Sequence, residues 1–237
     1  MLLPIVALWA GIPAASLLWG QAPGAVPPDL NDHGTFEIFS AGKSIGTETF
    51  EIHVHSDRIE ASGEGRLQVE QNGKKVEVQT SSALLLDSQY DPLSYTWSQK
   101  GAQSSRLSVD FRSKPARVRY KTVNGQDDRR DFKLDKDVVV LDDNVIHHYE
   151  LAVARYDQAK GGTQVLRGFI PQEALPGVIT LSFAGVEPTT VYGEKRKLRH
   201  FLLTAELAQI GLWVDDQGHL QIVSAADSQF QAARKKE

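Results

Sequence analysis

From Arg58 to Leu86 the chain alternates without a slip. Ile59, Ala61, Gly63, Gly65, Leu67 and Val69 fall between Arg58, Glu60, Ser62, Glu64, Arg66 and Gln68. One face is apolar or small and the other is wet, which is the period of a half-buried β-strand. Asn72-Gly73 follows, the pair that best tolerates the positive φ angles of a type I′ hairpin turn. Folding about it sets Val69 against Val76, Leu67 against Val78, Ala61 against Leu84 and Glu70 against Lys75, so register and charge agree. Gly63 and Gly65 point inward, where a missing side chain admits strong curvature or a close neighbour.

The same alternation recurs on both sides. Thr35 to Phe39 and Glu48 to Val54 flank a Gly42-Lys43-Ser44 turn; Leu93 to Trp97, Leu107 to Phe111 and Ala116 to Tyr120 follow, separated by Gly101, Pro115 and Asn124-Gly125. Gln164 to Ile170, Val178 to Ala184, Leu198 to Leu207, Gly211 to Val214 and His219 to Val223 complete the pattern. Strands at such short spacing predict an antiparallel meander, barrel or half-barrel. Trp97, Trp213, Tyr95 and Phe111 take inward positions, with core packing as their expected role.

One stretch breaks the rhythm. In residues 142–157, Val145, Tyr149, Ala152, Val153 and Tyr156 fall at helical spacing, Asp142 or Asp143 can cap the start, and Gly161-Gly162 stops the run. The spacing predicts a helix near 143–157 whose apolar stripe is covered by the concave face of the sheet. The expected fold is therefore mainly β: an antiparallel curved sheet, a half-barrel or open barrel, wrapped around one central α-helix.

At the N-terminus, Leu2 to Trp19 carry no charge and are interrupted by Pro4 and Pro13. A stable membrane span needs about 20 unbroken apolar residues, so the segment suits an export signal. The expected organisation is a signal segment over 1–22, cleaved near Ala22 or Ala25 or kept as an anchor, and a flexible linker over 23–33. A single β domain over 34–224 and a polar tail over 225–237, frayed from Gln229 to Glu237, follow. The chain has no cysteine among its 237 residues, which removes disulfide scaffolds, cysteine zinc sites, iron–sulfur centres and thiol nucleophiles. A net charge of −4 supplies no basic field for nucleic acid as the main partner.

Several short motifs invite a catalytic reading. Gly42-Lys43-Ser44 lacks the glycine of a phosphate loop, since position 37 is Glu, and runs into a strand where that loop needs a helix. Gly42-Lys43-Ser44-Ile45-Gly46 matches the nucleophile elbow of α/β-hydrolases but joins two strands, so a hairpin accounts for it. His53 and His55 share a strand face with Thr49 and Glu51, and a solvated polar row is the expected role over a metal pair. His147 and His148 are adjacent, so on a helix they point about 100° apart and form no zinc motif. His148 borders the apolar stripe, where it packs or, with Tyr149 and Tyr156, lines a cavity, while His147 is expected to face solvent. Arg117, Arg119 and Lys121 share a strand face; a solvated face with cross-strand ion pairs is expected, and contact with anionic headgroups or an acidic partner is the alternative.

Three stretches, GTFEIFSAGKSIGTETFEI, VVLDDNVIHHYELAVARYD and LWVDDQGHLQIV, are similar in order and spacing to uncharacterised exported bacterial proteins. More distantly, a half-barrel around a helix resembles the lipoprotein-carrier (Lol-type) superfamily, from which this chain departs in lacking a lipobox cysteine and a basic residue before the apolar run. That resemblance implies acyl chains or hydrophobic partners held in the concavity, and it brings no catalytic residues. The expected function is non-enzymatic binding of a lipid or other hydrophobic ligand in the bacterial envelope, periplasmic or secreted. Leu67, Val78, Leu84, Trp97, Tyr149, Val153 and Tyr156 are the candidate lining, without cofactor or metal. Membrane contact beyond the N-terminal segment is at most peripheral. The competing readings are an envelope interaction module and, below it, a serine hydrolase or metal-dependent enzyme.

Overall fold

The computed structural model describes residues 30–71, 73–101, 104–121, 127–205 and 208–236. The expected signal segment, most of the linker, Asn72 of the first turn and Asn124-Gly125 lie outside the described residues. Eight strands run in sequence: β1 (Asp32–Ser40), β2 (Lys43–Val54), β3 (Arg58–Gln71), β4 (Lys74–Asp87), β5 (Pro92–Lys100), β6 (Ser105–Asp110), β7 (Ala116–Lys121) and β8 (Asp127–Phe132). After β9 (Val139–Val140) and the helix α1 (His148–Ala154) come β10 (Thr163–Ile170), β11 (Leu175–Val191), β12 (Glu194–Ala205), β13 (Ala208–Val214), β14 (Leu220–Ala225) and β15 (Phe230–Arg234). All belong to one open sheet in the order β8-β7-β6-β5-β4-β3-β2-β1-β15-β14-β13-β12-β11-β10-β9. Every pairing is antiparallel except that of β9 with β10.

The β3–β4 register is the one the alternation predicts, with Val69 opposite Val76, Leu67 opposite Val78, Ala61 opposite Leu84 and Glu70 opposite Lys75. The chain starts at the middle of the sheet, meanders out to β8, crosses to the far margin at β9 and meanders back to β15 beside β1. That order forces curvature. Fifteen strands laid flat at about 4.8 Å spacing would span about 67 Å, yet the seven peptide steps from Phe132 to Val139 reach at most about 25 Å. The margins accordingly meet through side chains: the Phe132 and Phe169 rings are 5.1 Å apart, and the Tyr120 hydroxyl donates to the Pro171 carbonyl at 2.9 Å.

The crossing segment packs against the strands. Val138 to Leu141, Val145, Ile146, Leu151 to Val153 and Tyr156 are buried in one apolar cluster with Phe36, Phe50, Tyr95, Leu181, Phe201 and Leu212 of the strands. The helix is shorter than its periodicity predicts. It spans seven residues, and neither Asp142 nor Asp143 caps it, because its cap position is His147 with no side-chain cap bond. Asp142 is instead used elsewhere, accepting hydrogen bonds from the Tyr95 hydroxyl at 2.7 Å and the Gln172 N–H at 3.0 Å.

Three other expectations are corrected. The tail does not fray: residues 226–228 form a 3₁₀ turn and β15 pairs with both β1 and β14 in mid-sheet, because Ala232 and Ala233 are small enough to be buried there. The ordered sheet also begins earlier than residue 34, at Asp32. Trp213 does not face the main core; it packs with Val191, Leu198 and Ile222 in a small second cluster and stacks on His200 at 4.2 Å.

Candidate functional site

Charged residues placed in the buried register of otherwise alternating strands mark the polar centre of the molecule. In β2 the buried positions run Glu48, Phe50, Ile52, and in β1 they run Asp32, Gly34, Phe36, Ile38. Glu48 accepts hydrogen bonds from the Ile146 N–H at 2.9 Å and the His147 N–H at 3.2 Å, and its other oxygen lies 2.9 Å from His147 Nδ1. His147 is therefore fully buried, contrary to the solvent-facing position that helical spacing suggests. The reason is Gly63. A Cβ there would stand 2.7 Å from His147 Cε1 and 3.0 Å from a Glu48 oxygen, so the inward glycine makes room for the pair.

A second group ties β1 to β15. Arg234 makes a bidentate contact with Asp32, both bonds 2.6 Å, and Glu150 accepts the Leu220 N–H at 2.8 Å. Burial opposes ionisation of Asp32, but the hydrogen bonds and charge of Arg234 outweigh it and hold its carboxyl below the ordinary value. Glu150 goes the other way: burial, and then the neighbouring Asp32 carboxylate, push it well above the carboxylate range. Burial, and then His147, depress His148, whose two ring nitrogens form no hydrogen bond among the described residues. Burial raises Asp142 to about 6.

His147, His148 and Glu150 are all 0% exposed. His147 and Glu150 tie the crossing segment to β2 and β14 through the hydrogen bonds to Glu48 and Leu220. A pH dependence follows. The folded protein keeps a proton on Glu150 that the unfolded chain releases above about pH 4.5, so this contribution to stability is full below that pH and is lost as pH rises toward the folded value. Each proton so linked changes stability by at most about 1.4 kcal/mol per pH unit. His148 acts oppositely, since the unfolded chain takes up a proton below pH 6.5 that the buried ring refuses. Glu150→Gln removes only the first term. The stability of the wild-type protein relative to this variant should fall as pH rises above about 4.5 in urea titrations, and parallel profiles would contradict the assignment.

The seven expected lining residues do not share one cleft. Leu67, Val78, Leu84, Trp97, Val153 and Tyr156 belong to the packed core, with Tyr149 partly buried against it. Leu67, Trp97 and Tyr149 border three different clefts, the Tyr149 cleft being about 260 Å³. His53, His55 and Glu51 are exposed, His53 Nε2 lying 3.2 Å from Glu51. Ser44 sits at the β1–β2 hairpin and donates to Glu37 at 2.6 Å.

A larger cleft, about 710 Å³, opens at the ends of β5 to β7. It falls within the range of about 300–1,000 Å³ usual for small-molecule sites. Pro92, Leu93, Phe111 and Leu134 give it an apolar lining, and Phe111 is fixed from behind by an edge contact with Phe169 at 6.3 Å. Its rim carries Arg112, Lys114 and Lys133, which enter no ion pair among the described residues, whereas Lys136 is held by Asp91 at 2.9 Å. The alternation of the strands placed Phe111 in the core. What it lacked was the curl that gathers the β6–β7 turn and the residues after β8 around Phe111.

No family model matches the chain and no curated protein matches it. A crystal structure of a DUF1089 family protein from Pseudomonas aeruginosa is similar over 92% of this chain and 95% of that chain, at 13% sequence identity and a TM-score of 0.44. No helix among the described residues is long and apolar enough to cross a membrane.

Proposed function

We propose that the protein is an exported, non-enzymatic component of the bacterial cell envelope that holds a lipid-like amphiphile. The observation that carries this reading is the 710 Å³ cleft, which pairs an apolar lining at Phe111 with Arg112, Lys114 and Lys133, cations that enter no ion pair among the described residues, on a rim that also holds Asp87, Asp91 and Asp135. Burial of an acyl chain on Phe111, Leu93 and Leu134 supplies the affinity, and Arg112, Lys114 and Lys133 orient an anionic head. In this reading the curled sheet is a half-barrel with the crossing segment as its filling, and the ligand sits at the margin because the interior is taken up by side chains. The buried acid–base groups His147, His148 and Glu150 are 0% exposed, which keeps these three from any substrate.

Titration of the purified protein with oleate, followed by amide NMR, should saturate near one equivalent. Phe111→Asp should weaken binding at least tenfold, and Lys114→Glu with Lys133→Glu should weaken oleate more than the uncharged oleyl alcohol. Absence of saturable binding, or affinity indifferent to these changes, contradicts the reading. A second reading, an envelope interaction module, is favoured by exposed Val165 and Val178, diagonal neighbours across β10 and β11. It predicts a protein partner and no ligand.

A further inference from the structure

The outer face of β5 to β8 carries charge that its own strands do not neutralise. Ser108 stands opposite Arg119, and Arg119 opposite Arg129; one step along the sheet, Ser98 stands opposite Arg106, and Arg106 opposite Lys121. The intervening residues Trp97, Leu107 and Val118 are buried on the inner side, so these rows point outward. Two like-charged pairs, Arg119 with Arg129 and Arg106 with Lys121, thus face each other directly on neighbouring strands, an arrangement that destabilises a sheet.

Nearby acids relieve this only in part. Asp131 lies 3.8 Å from Arg117 and 3.1 Å from Arg129, and Asp128 is turned to Arg130 at 3.0 Å. Asp127 stands opposite Lys121, yet Arg106, Arg119 and Lys121 enter no ion pair among the described residues. All four opposed cations border one trough of about 670 Å³, whose lining also includes Ser98, Ser108, Asp127 and Asp128.

We propose that this trough binds a ligand carrying two phosphate or sulfate groups, one against each opposed cationic pair. Guanidinium groups grip such oxygens in bidentate fashion, and the serine hydroxyls add neutral donors. Arg119 and Lys121 are two residues apart on one strand face, which sets the two anionic groups about 6–7 Å apart. Occupancy removes the cross-strand repulsion, so binding raises the stability of the fold.

The test uses the purified chain at low salt, with calorimetric titration and thermal melts. The probes are inorganic tripolyphosphate, orthophosphate, and phosphatidylcholine vesicles with and without cardiolipin. Tripolyphosphate or cardiolipin vesicles should bind at least tenfold more tightly than orthophosphate or plain vesicles. Arg119→Gln and Arg106→Gln should each cut that affinity at least tenfold, while Arg167→Gln, on β10, leaves it unchanged. Without anion, Arg119→Gln should melt no lower than wild type, because it relieves repulsion. A response to tripolyphosphate assigns a soluble source, and a response to cardiolipin vesicles assigns a lipid headgroup; either supports the site. Failure of both probes, equal affinity for orthophosphate, undiminished binding by Arg119→Gln or a lower melting point for it would each overturn the proposal.

Discussion

Replacing Glu48 by leucine is expected to destabilise the protein by about 3–5 kcal/mol, the usual cost of removing one partner from a buried charged network. Leucine is apolar and fits a core position, so the loss isolates the carboxylate. Two backbone donors, the N–H groups of Ile146 and His147, and the His147 ring would be left facing an apolar side chain. Each buried donor without an acceptor costs about 1–3 kcal/mol. Glu48→Gln keeps one acceptor oxygen and should fall between the two. Urea unfolding measures both, and a loss below about 1 kcal/mol for the leucine variant would show that the crossing segment does not depend on this anchor.

The second large effect lies at the join of the two halves. Arg234→Met should also cost about 3–5 kcal/mol, because it strands the Asp32 carboxylate, 4% exposed, beside Glu150 and leaves only the His219 ring, 3.9 Å away, among the described residues to offset it. The guanidinium also donates to the His33 carbonyl, so its removal loosens β1 directly. Pairing Arg234→Met with Asp32→Asn should recover much of the loss, since the cost comes from an uncompensated charge more than from a missing contact. If the double variant is as unstable as the single one, the pair matters for packing rather than for charge.

Much of the sheet was legible in the sequence because period two is a local signal. The β3–β4 hairpin, with its register, follows from alternation and Asn72-Gly73 alone. The glycine at 63 was readable as a place for a close neighbour, though not which neighbour. The helix was over-extended because Val145 keeps helical spacing in a turn, where Glu48, nearly a hundred residues away, takes the backbone donors of Ile146 and His147. The tail was misread because Gln229 to Glu237 are polar in composition, whereas β15 is held by its pairing with β1, a non-local contact that no window of sequence contains.

The site was harder to read. Glu48, Asp32 and Arg234 carried a usable sign, a charge at the apolar parity of a strand. Leu67, Val78 and Leu84 carried the sign of inward residues, and they join the core cluster. The Phe111 cleft depends on the curl that brings β8 toward the far margin of the sheet, and that curl is dictated by the short crossing from Phe132 to Val139 rather than by any motif.

Native mass spectrometry of the protein purified from a bacterial envelope, with no lipid added, tests the carrier reading most directly. The prediction is a population heavier than the bare chain by one amphiphile, lost on Phe111→Asp while the fold persists. A single species at the mass of the chain alone, in wild type and variant alike, would contradict it.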